Sequence, residues 1–284
     1  MKLLVYRNLW GVSGARAAAL AQIAAAGYDG IECMILETAH CRELKPLIRR
    51  HRLDYKGVIW TRGLTVAEHL ASFHEQLARL RTMDPSGFTV IGGYDCWDDD
   101  DTARFYEEML RIEEKLGLPL AHEVHRNTCL FHPAPTRRIL ARFPSLKLAC
   151  DFSHWVISCE RLLDDNLDLI RQCGRQAVHI HARVGHEQAP QLADLRAPEA
   201  QPYRDAFDRY WEIIWEEQAR RGLAVTSLCP EFGAPPYQPT LPYTGMPVAD
   251  LRAICDWQAG RQRQHFAEWQ TRTTAPRKTR RPAR

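Results

Sequence analysis

LKLACDFSHW, residues 146–155, ends a short apolar run on Asp151 and sets Ser153 and His154 directly after it. Taken alone, the stretch suits a helix start capped by Asp151 as well as it suits a polar site. Its place in a repeated pattern decides the fold. Similar runs occur at KLLVY (2–6), YDGIEC (28–33), DYKGVIW (54–60), FTVIGG (88–93), LPLAHEV (118–124), LKLACD (146–151), AVHIHA (177–182) and LAVTSLCPE (223–231). Helical stretches at 15–26, 39–51, 66–80, 101–116, 134–142, 162–173 and 206–221 separate them. Several of these stop at a glycine, as in AAAGYDG, EKLGLP and ARRGLA. Strand and helix alternate, which predicts parallel strands joined by crossover helices. Eight such units in about 250 residues predict an α/β fold, a single-domain (β/α)8 TIM barrel over residues 1–260. Residues 261–284 read as a C-terminal extension, basic and disordered from about 271.

Composition narrows the partners. Of the 284 residues, 45% are hydrophobic and 26% charged, enough apolar material for a core and enough charge for solubility. No run reaches the ~20 apolar residues of a membrane span, and MKLLVYRNLWG is cut by Arg7 and Asn8 before it could serve as a signal peptide. The expectation is a cytoplasmic protein with no membrane partner. Nine cysteines without a CxxC pair argue against a disulfide framework and a zinc knuckle. The net charge of +3 is misleading, because TRTTAPRKTRRPAR (271–284) carries six basic residues and no acid. Taking those six from the 38 lysines and arginines leaves 32 against 35 acids, so the barrel offers no electrostatic case for nucleic acid.

In a barrel of this type the C-terminal strand ends carry the site. Those ends read Trp10, Glu32, Trp60 and Tyr94–Asp95 in the first half. The second half reads Glu123 with His125, Asp151 with His154, His179 with His181, and Glu231. Alternation puts His179 and His181 on one inward face and Glu123 and His125 on another, with His122 pointing away. Any one of these residues is explained as a satisfied core polar group, and Glu32 as a buried ion-pair partner. Together they are not, because acids crowded at one rim repel one another unless a cation lies between them. An oxygen-rich set with one imidazole suits Mn2+ first, with Mg2+ or Co2+ next and Zn2+ as a further alternative.

The order HEVH, CDFSHW, HIHARVGH, PEFG resembles the xylose isomerase-like TIM barrels, the sugar phosphate isomerase/epimerase group, and GYDGIE resembles that group's second-strand segment. The resemblance covers most of residues 1–260. It implies metal ligands at Glu123, Asp151, His181 and Glu231, with Glu123 and Glu231 also moving protons on either face of the substrate. It places His154 near metal or substrate. Further substrate-binding candidates are His125, His179, Arg183, Trp60 and Glu32.

The implied activity is that of a divalent-metal-dependent isomerase or epimerase. It would act on a sugar or sugar-derived hydroxy-carbonyl compound by proton abstraction through a metal-stabilised ene-diolate. A lyase or dehydratase using the same abstraction, or a metal-dependent hydrolase, is the alternative. The implied partner is a small sugar-like molecule, with a homo-oligomer as a further expectation. Endonuclease IV-like repair needs extra histidines at the third and fourth strand ends, where this chain has Trp60 and Tyr94–Asp95.

Overall fold

Each apolar run becomes a strand, and the strands close on themselves. In the computed structural model, which describes residues 1–274, the strands are β1 (Lys2–Asn8), β2 (Gly30–Cys33), β3 (Asp54–Trp60), β4 (Gly87–Ile91), β5 (Leu120–Glu123), β6 (Lys147–Cys150), β7 (Ala177–His181) and β8 (Val225–Cys229). They pair in parallel in chain order, and β8 pairs back onto β1, giving the closed α/β barrel expected from the alternation. The order leaves no free sheet edge. The register sets Glu123 opposite Ala149 and His181 opposite Cys229, so Asp151 and Glu231, just past β6 and β8, emerge at the same rim.

The helices α1 (Arg16–Ala25), α2 (Thr38–His51), α3 (Val66–Leu80), α4 (Asp99–Leu116), α5 (Pro133–Arg142), α6 (Ser153–Cys159), α7 (Leu167–Gln176), α8 (Gln201–Arg220) and α9 (Leu251–Thr274) follow the strands. Their starts obey local chemistry. Thr65 and Glu68 form a reciprocal capping box at α3, and Asp98 accepts the Asp101 N–H at α4. The helical run expected at 162–173 begins later, at Leu167, because the chain after Asp151 first turns through the short α6. There Asp151 Oδ1 accepts the Ser153 backbone N–H at 3.0 Å and the Ser153 hydroxyl at 2.6 Å. Among the described residues no helix is long and apolar enough to cross a membrane.

The largest departure from the sequence pattern is α9. It crosses position 260 without a break, so nothing in the backbone marks a boundary between 260 and 261. Its inner face carries Ile254, Cys255, Ala259, Phe266 and Trp269, all buried, together with Gln258 and Gln262. Those two glutamines blur the apolar stripe. Their amide nitrogens are engaged, Gln258 Nε2 donating to the Ala182 carbonyl at 3.2 Å and Gln262 Nε2 to Asp208 at 3.0 Å. Phe266 and Trp269 stack with ring centroids 5.4 Å apart, and Trp269 lies 5.6 Å from Trp215 on α8. Residues 271–274 belong to this helix, and the rest of the basic tail, 275–284, lies outside the described residues.

The segment after β8, PEFGAPPYQPTLPYTGMP (230–247), is proline-rich and forms neither helix nor strand, and its Pro236 and Tyr237 line the cavity at the barrel mouth. Gln191 bridges it to the loop after β7, accepting from the Gly233 N–H at 2.7 Å and donating to the Gly233 carbonyl at 3.1 Å. Gly233 also has to lack a side chain, because a Cβ there would sit 2.1 Å from the Trp10 ring. If α9 is an integral wall of the barrel, Trp269→Ala lowers unfolding free energy by about 3–5 kcal/mol in urea titrations. A loss under about 1 kcal/mol would mark the segment beyond 260 as an appendage.

Candidate functional site

Four side chains from the second half of the barrel converge at the rim. Glu123 ends β5, Asp151 follows β6, His181 ends β7 and Glu231 follows β8, and one ligand atom from each lies within 4.8 Å of the others. All four are buried. His181 Nδ1 lies 2.7 Å from Glu231 Oε2 and 3.3 Å from Glu123 Oε1. Neither approach is aligned as a hydrogen bond, and Nδ1 has no hydrogen-bond partner.

Below this cluster, Glu32 on β2 organises the imidazoles. Its carboxylate lies 3.1 Å from His179 Nε2 and 3.3 Å from His181 Nε2, and it accepts the Thr89 hydroxyl at 2.5 Å. With a carboxylate behind Nε2, His181 turns Nδ1 toward the rim. His179 Nδ1 meets the Ser227 hydroxyl at 2.7 Å. Expected among the substrate-binding residues, Glu32 and His179 instead lie on the inner side of His181, fully buried and outside the cavity wall. Their polar atoms are taken up by each other, Thr89, His181 and Ser227.

Arg183 enters the same cluster from the other side. Its Nε and Nη2 donate to Asp151 Oδ2 at 2.9 and 2.6 Å, and Nη2 also donates to Glu231 Oε2 at 2.9 Å. Asn8 Nδ2 holds Glu231 Oε1 at 3.1 Å. Burial works to raise the Glu231 carboxyl, but His181 and Arg183 outweigh it and bring the pKa down to about 2. Glu123 gains less. Burial, with Glu231 and Asp151 adding to it against His181, pushes it up to about 7. Burial opposes a charge on His181, yet Glu231, Glu123 and Glu32 around it push its pKa well up.

The remaining buried atoms test whether a cation fits. Both oxygens of Glu123, Nδ1 of His181, Nδ1 of His154 and Nη1 of Arg183 have no hydrogen-bond partner. A buried carboxylate with two unpaired oxygens beside an unpaired imidazole nitrogen is costly unless a positive group stands between them. Glu123, Asp151, His181 and Glu231 therefore fit a divalent cation by donor type and by spacing. His154 is fully buried, 3.5 Å from Asp151 and 3.9 Å from Glu123, with its ring centroid 3.8 Å from that of His125. Its distances set it beside the four-group cluster.

A cavity of about 460 Å3 opens above the cluster, and Glu123, Glu231, Arg183, His125 and Trp60 line it. His125 Nδ1 bonds the Arg126 carbonyl, which only accepts, so Nε2 is left as an acceptor. Burial and the nearby Arg183 bring the His125 pKa down to about 3. Two residues that shape the site were not singled out from sequence. Asn8 was hidden because the first strand ends on it rather than at Trp10. Tyr237 comes from the proline-rich loop, and its ring lies 4.9 Å from the Arg183 guanidinium and 4.8 Å from the Trp10 ring.

No protein-family model matches the sequence, and no curated protein matches it. Among solved structures, the chain superposes on a D-tagatose 3-epimerase-like protein with TM-score 0.66 and 12% identity, covering 96% of this chain and 100% of that one. It superposes on the D-allulose 3-epimerase of Methylomonas sp. with TM-score 0.62 and 16% identity, covering 94% and 98%. For the probable 3-DHS dehydratase AsbF of Bacillus anthracis, TM-score is 0.60 and identity 13%, covering 93% and 99%. These likenesses are of fold: the chain shares the (β/α)8 barrel of these proteins.

The geometry assigns Arg183 as the compensating cation for two buried carboxylates. Arg183→Met should therefore cost about 3–5 kcal/mol of stability in urea titrations run with a chelator. A variant as stable as the parent would mean that Asp151 and Glu231 are compensated some other way.

Proposed function

We propose that the protein is a divalent-metal-dependent enzyme of the sugar isomerase/epimerase type, acting on a hydroxy-carbonyl compound by moving a proton at the carbon beside the carbonyl. The observation that carries this reading is Glu123: buried, both oxygens unpaired, and within ligand distance of Asp151, His181 and Glu231. The donor set of three carboxylates and one imidazole favours Mn2+, with Mg2+, Co2+ and Zn2+ as alternatives. A bound divalent ion polarises a carbonyl and acidifies the neighbouring C–H.

The residues divide the remaining work. Glu123, Asp151, His181 and Glu231 hold the ion. That Glu123 and Glu231 both line the cavity supports a role for one carboxylate in taking a proton from substrate and for the other in returning one. Glu32 holds His181 by Nε2 and so orients Nδ1. Arg183, already bound to Asp151 and Glu231, presents its unpaired Nη1 as a donor to a substrate oxygen. His125 offers Nε2 as an acceptor for a substrate hydroxyl, and Trp60 closes the wall beside it at a ring distance of 5.5 Å. Return of the proton gives an epimer or an isomer, and loss of a β-substituent from the same carbanion gives a dehydratase or lyase.

Titration calorimetry with Mn2+ should find one tight site, lost in Asp151→Asn. Glu32→Gln should keep the site and weaken it by roughly 10- to 100-fold. With Mn2+ and a panel of hydroxy-ketones in D2O, the expected result is deuterium uptake beside the carbonyl. That uptake should fall by roughly 10^2- to 10^4-fold in Glu123→Gln and in Glu231→Gln. Hydrolysis without exchange, or a protein that binds no divalent ion, would overturn the assignment.

A further inference from the structure

The cavity wall divides along the chain. Its charged and imidazole groups, Glu123, His125, Arg183 and Glu231, come from the ends of β5, β7 and β8, and Asn8 at the end of β1 and Tyr237 of the proline-rich loop complete the polar lining. The opposite side comes from the ends of β1 to β4 and carries Trp10, Met34, Leu36, Val58, Trp60 and Ile91. Three of these stand open at the mouth, with Trp10, Leu36 and Trp60 at 36%, 59% and 39% exposure. Large apolar side chains left this open around one concave site mark a surface built to be covered.

Several backbone and polar groups near that side are already committed. Gln76 accepts from the Trp60 N–H at 3.2 Å and donates to the Trp60 carbonyl at 2.8 Å. Asn8 accepts the Trp10 N–H at 2.6 Å through Oδ1 and gives Nδ2 to Glu231 at 3.1 Å. The Leu9 N–H bonds the Glu32 carbonyl at 3.1 Å. A polyol chain laid against this wall would meet, besides the two indole N–H groups, only apolar side chains, and would gain less there than an apolar body does. Aromatic rings do accept the C–H faces of sugars, but a sugar so stacked still needs partners for its equatorial hydroxyls. Around Trp10 and Trp60 those places are taken by Met34, Leu36, Val58 and Ile91.

We infer that the substrate is a hydroxy-carbonyl group carried on an apolar, ring-sized body, the polar head meeting Glu123, Glu231 and Arg183 and the body lying between Trp10 and Trp60, rather than a free polyol. The inference rests on the proposed metal-assisted site and adds to it the chemistry of the rest of the substrate.

Hydroxamates test the two readings separately, because each chelates a divalent ion through the same two oxygens and differs only in what it carries. Acetohydroxamate, 3-phenylpropionohydroxamate and D-gluconohydroxamate are titrated into the Mn2+-loaded full chain, followed by calorimetry and by tryptophan fluorescence. The phenyl compound should bind at least tenfold more tightly than acetohydroxamate, and the gluconyl compound no more tightly than acetohydroxamate. The phenyl advantage should fall at least fivefold in the double variant Met34→Asn, Leu36→Asn, with acetohydroxamate affinity unchanged. Equal affinity of all three, or tightest binding of the gluconyl compound, overturns the apolar-body inference and leaves the metal reading standing. If Mn2+ binds nowhere, or no hydroxamate binds the loaded protein, the metal reading fails and takes this inference with it.

Discussion

The structure is organised around one constraint: Glu32, Glu123, Asp151 and Glu231 are buried in a single barrel mouth, and their negative charge has to be met from inside the protein. Isolated buried carboxylates cost several kcal/mol each unless they are paired and hydrogen-bonded. Three of the four are. Glu32 faces two imidazoles and the Thr89 hydroxyl, Asp151 has Arg183 and Ser153, and Glu231 has Arg183 and Asn8. Glu123 has only the proximity of His181 and His154. The unmet demand in the cluster therefore collects on one carboxylate, at the point where the cavity opens.

That constraint reaches well beyond the four acids. Holding Asp151 one residue past its strand requires the tight turn into α6, which Ser153 secures by bonding the carboxylate twice. Holding Glu231 past β8 requires the following loop to stay in place, and Gln191 pins it through Gly233, where the Trp10 ring leaves no room for a side chain. Tyr237, further along that loop, covers the Arg183 guanidinium with its ring, a favourable cation–π placement in a buried setting. Arg183 thus depends on the loop and the carboxylates depend on Arg183. The proline-rich composition of 230–247 suits this duty, since a chain with few accessible conformations loses little entropy when it is fixed over a site.

Much of this was legible in the sequence, for identifiable reasons. The barrel was, because buried parallel strands read as short continuous apolar runs and glycine stops separate them from their helices. The rim positions of Glu123, Asp151, His181 and Glu231 followed from strand alternation plus a resemblance carried by four motifs. Other features have no one-dimensional signature. Glu32 and His179 each read as strand-end polar residues, and only barrel closure brings β2 and β7 close enough for them to bond across the interior. Helix α9 escaped because glutamines hold two of its inner positions, so its periodicity looks polar although its packing is not. Arg183 could be read as a substrate group, but its bond to Asp151 spans 32 residues, and the pattern of either segment alone does not imply it.

The division of the cavity wall has the same physical origin. Acids and imidazoles that compensate one another must be close, and most gather on neighbouring strands, here β5 to β8, with Glu32 joining them from β2 across the barrel interior. Their network engages Asp151, Glu231 and most of the Arg183 guanidinium, and leaves Glu123 and single nitrogens of His154, His181 and Arg183 unpaired. Any change there removes a partner from a buried charge, which makes the polar side intolerant of variation. On the side formed by β1 to β4, Asn8, Glu32 and Thr89 reach into that network, but the large apolar side chains at the mouth take no part in it. Among these large side chains Trp10 meets the Tyr237 ring and Trp60 the His125 ring, Leu36 and Trp60 stand half open, and none of them takes part in an ion pair. A barrel built this way keeps its buried charges on one side of the mouth and its large apolar side chains on the other, where they can change in shape without stripping a buried charge of its partner.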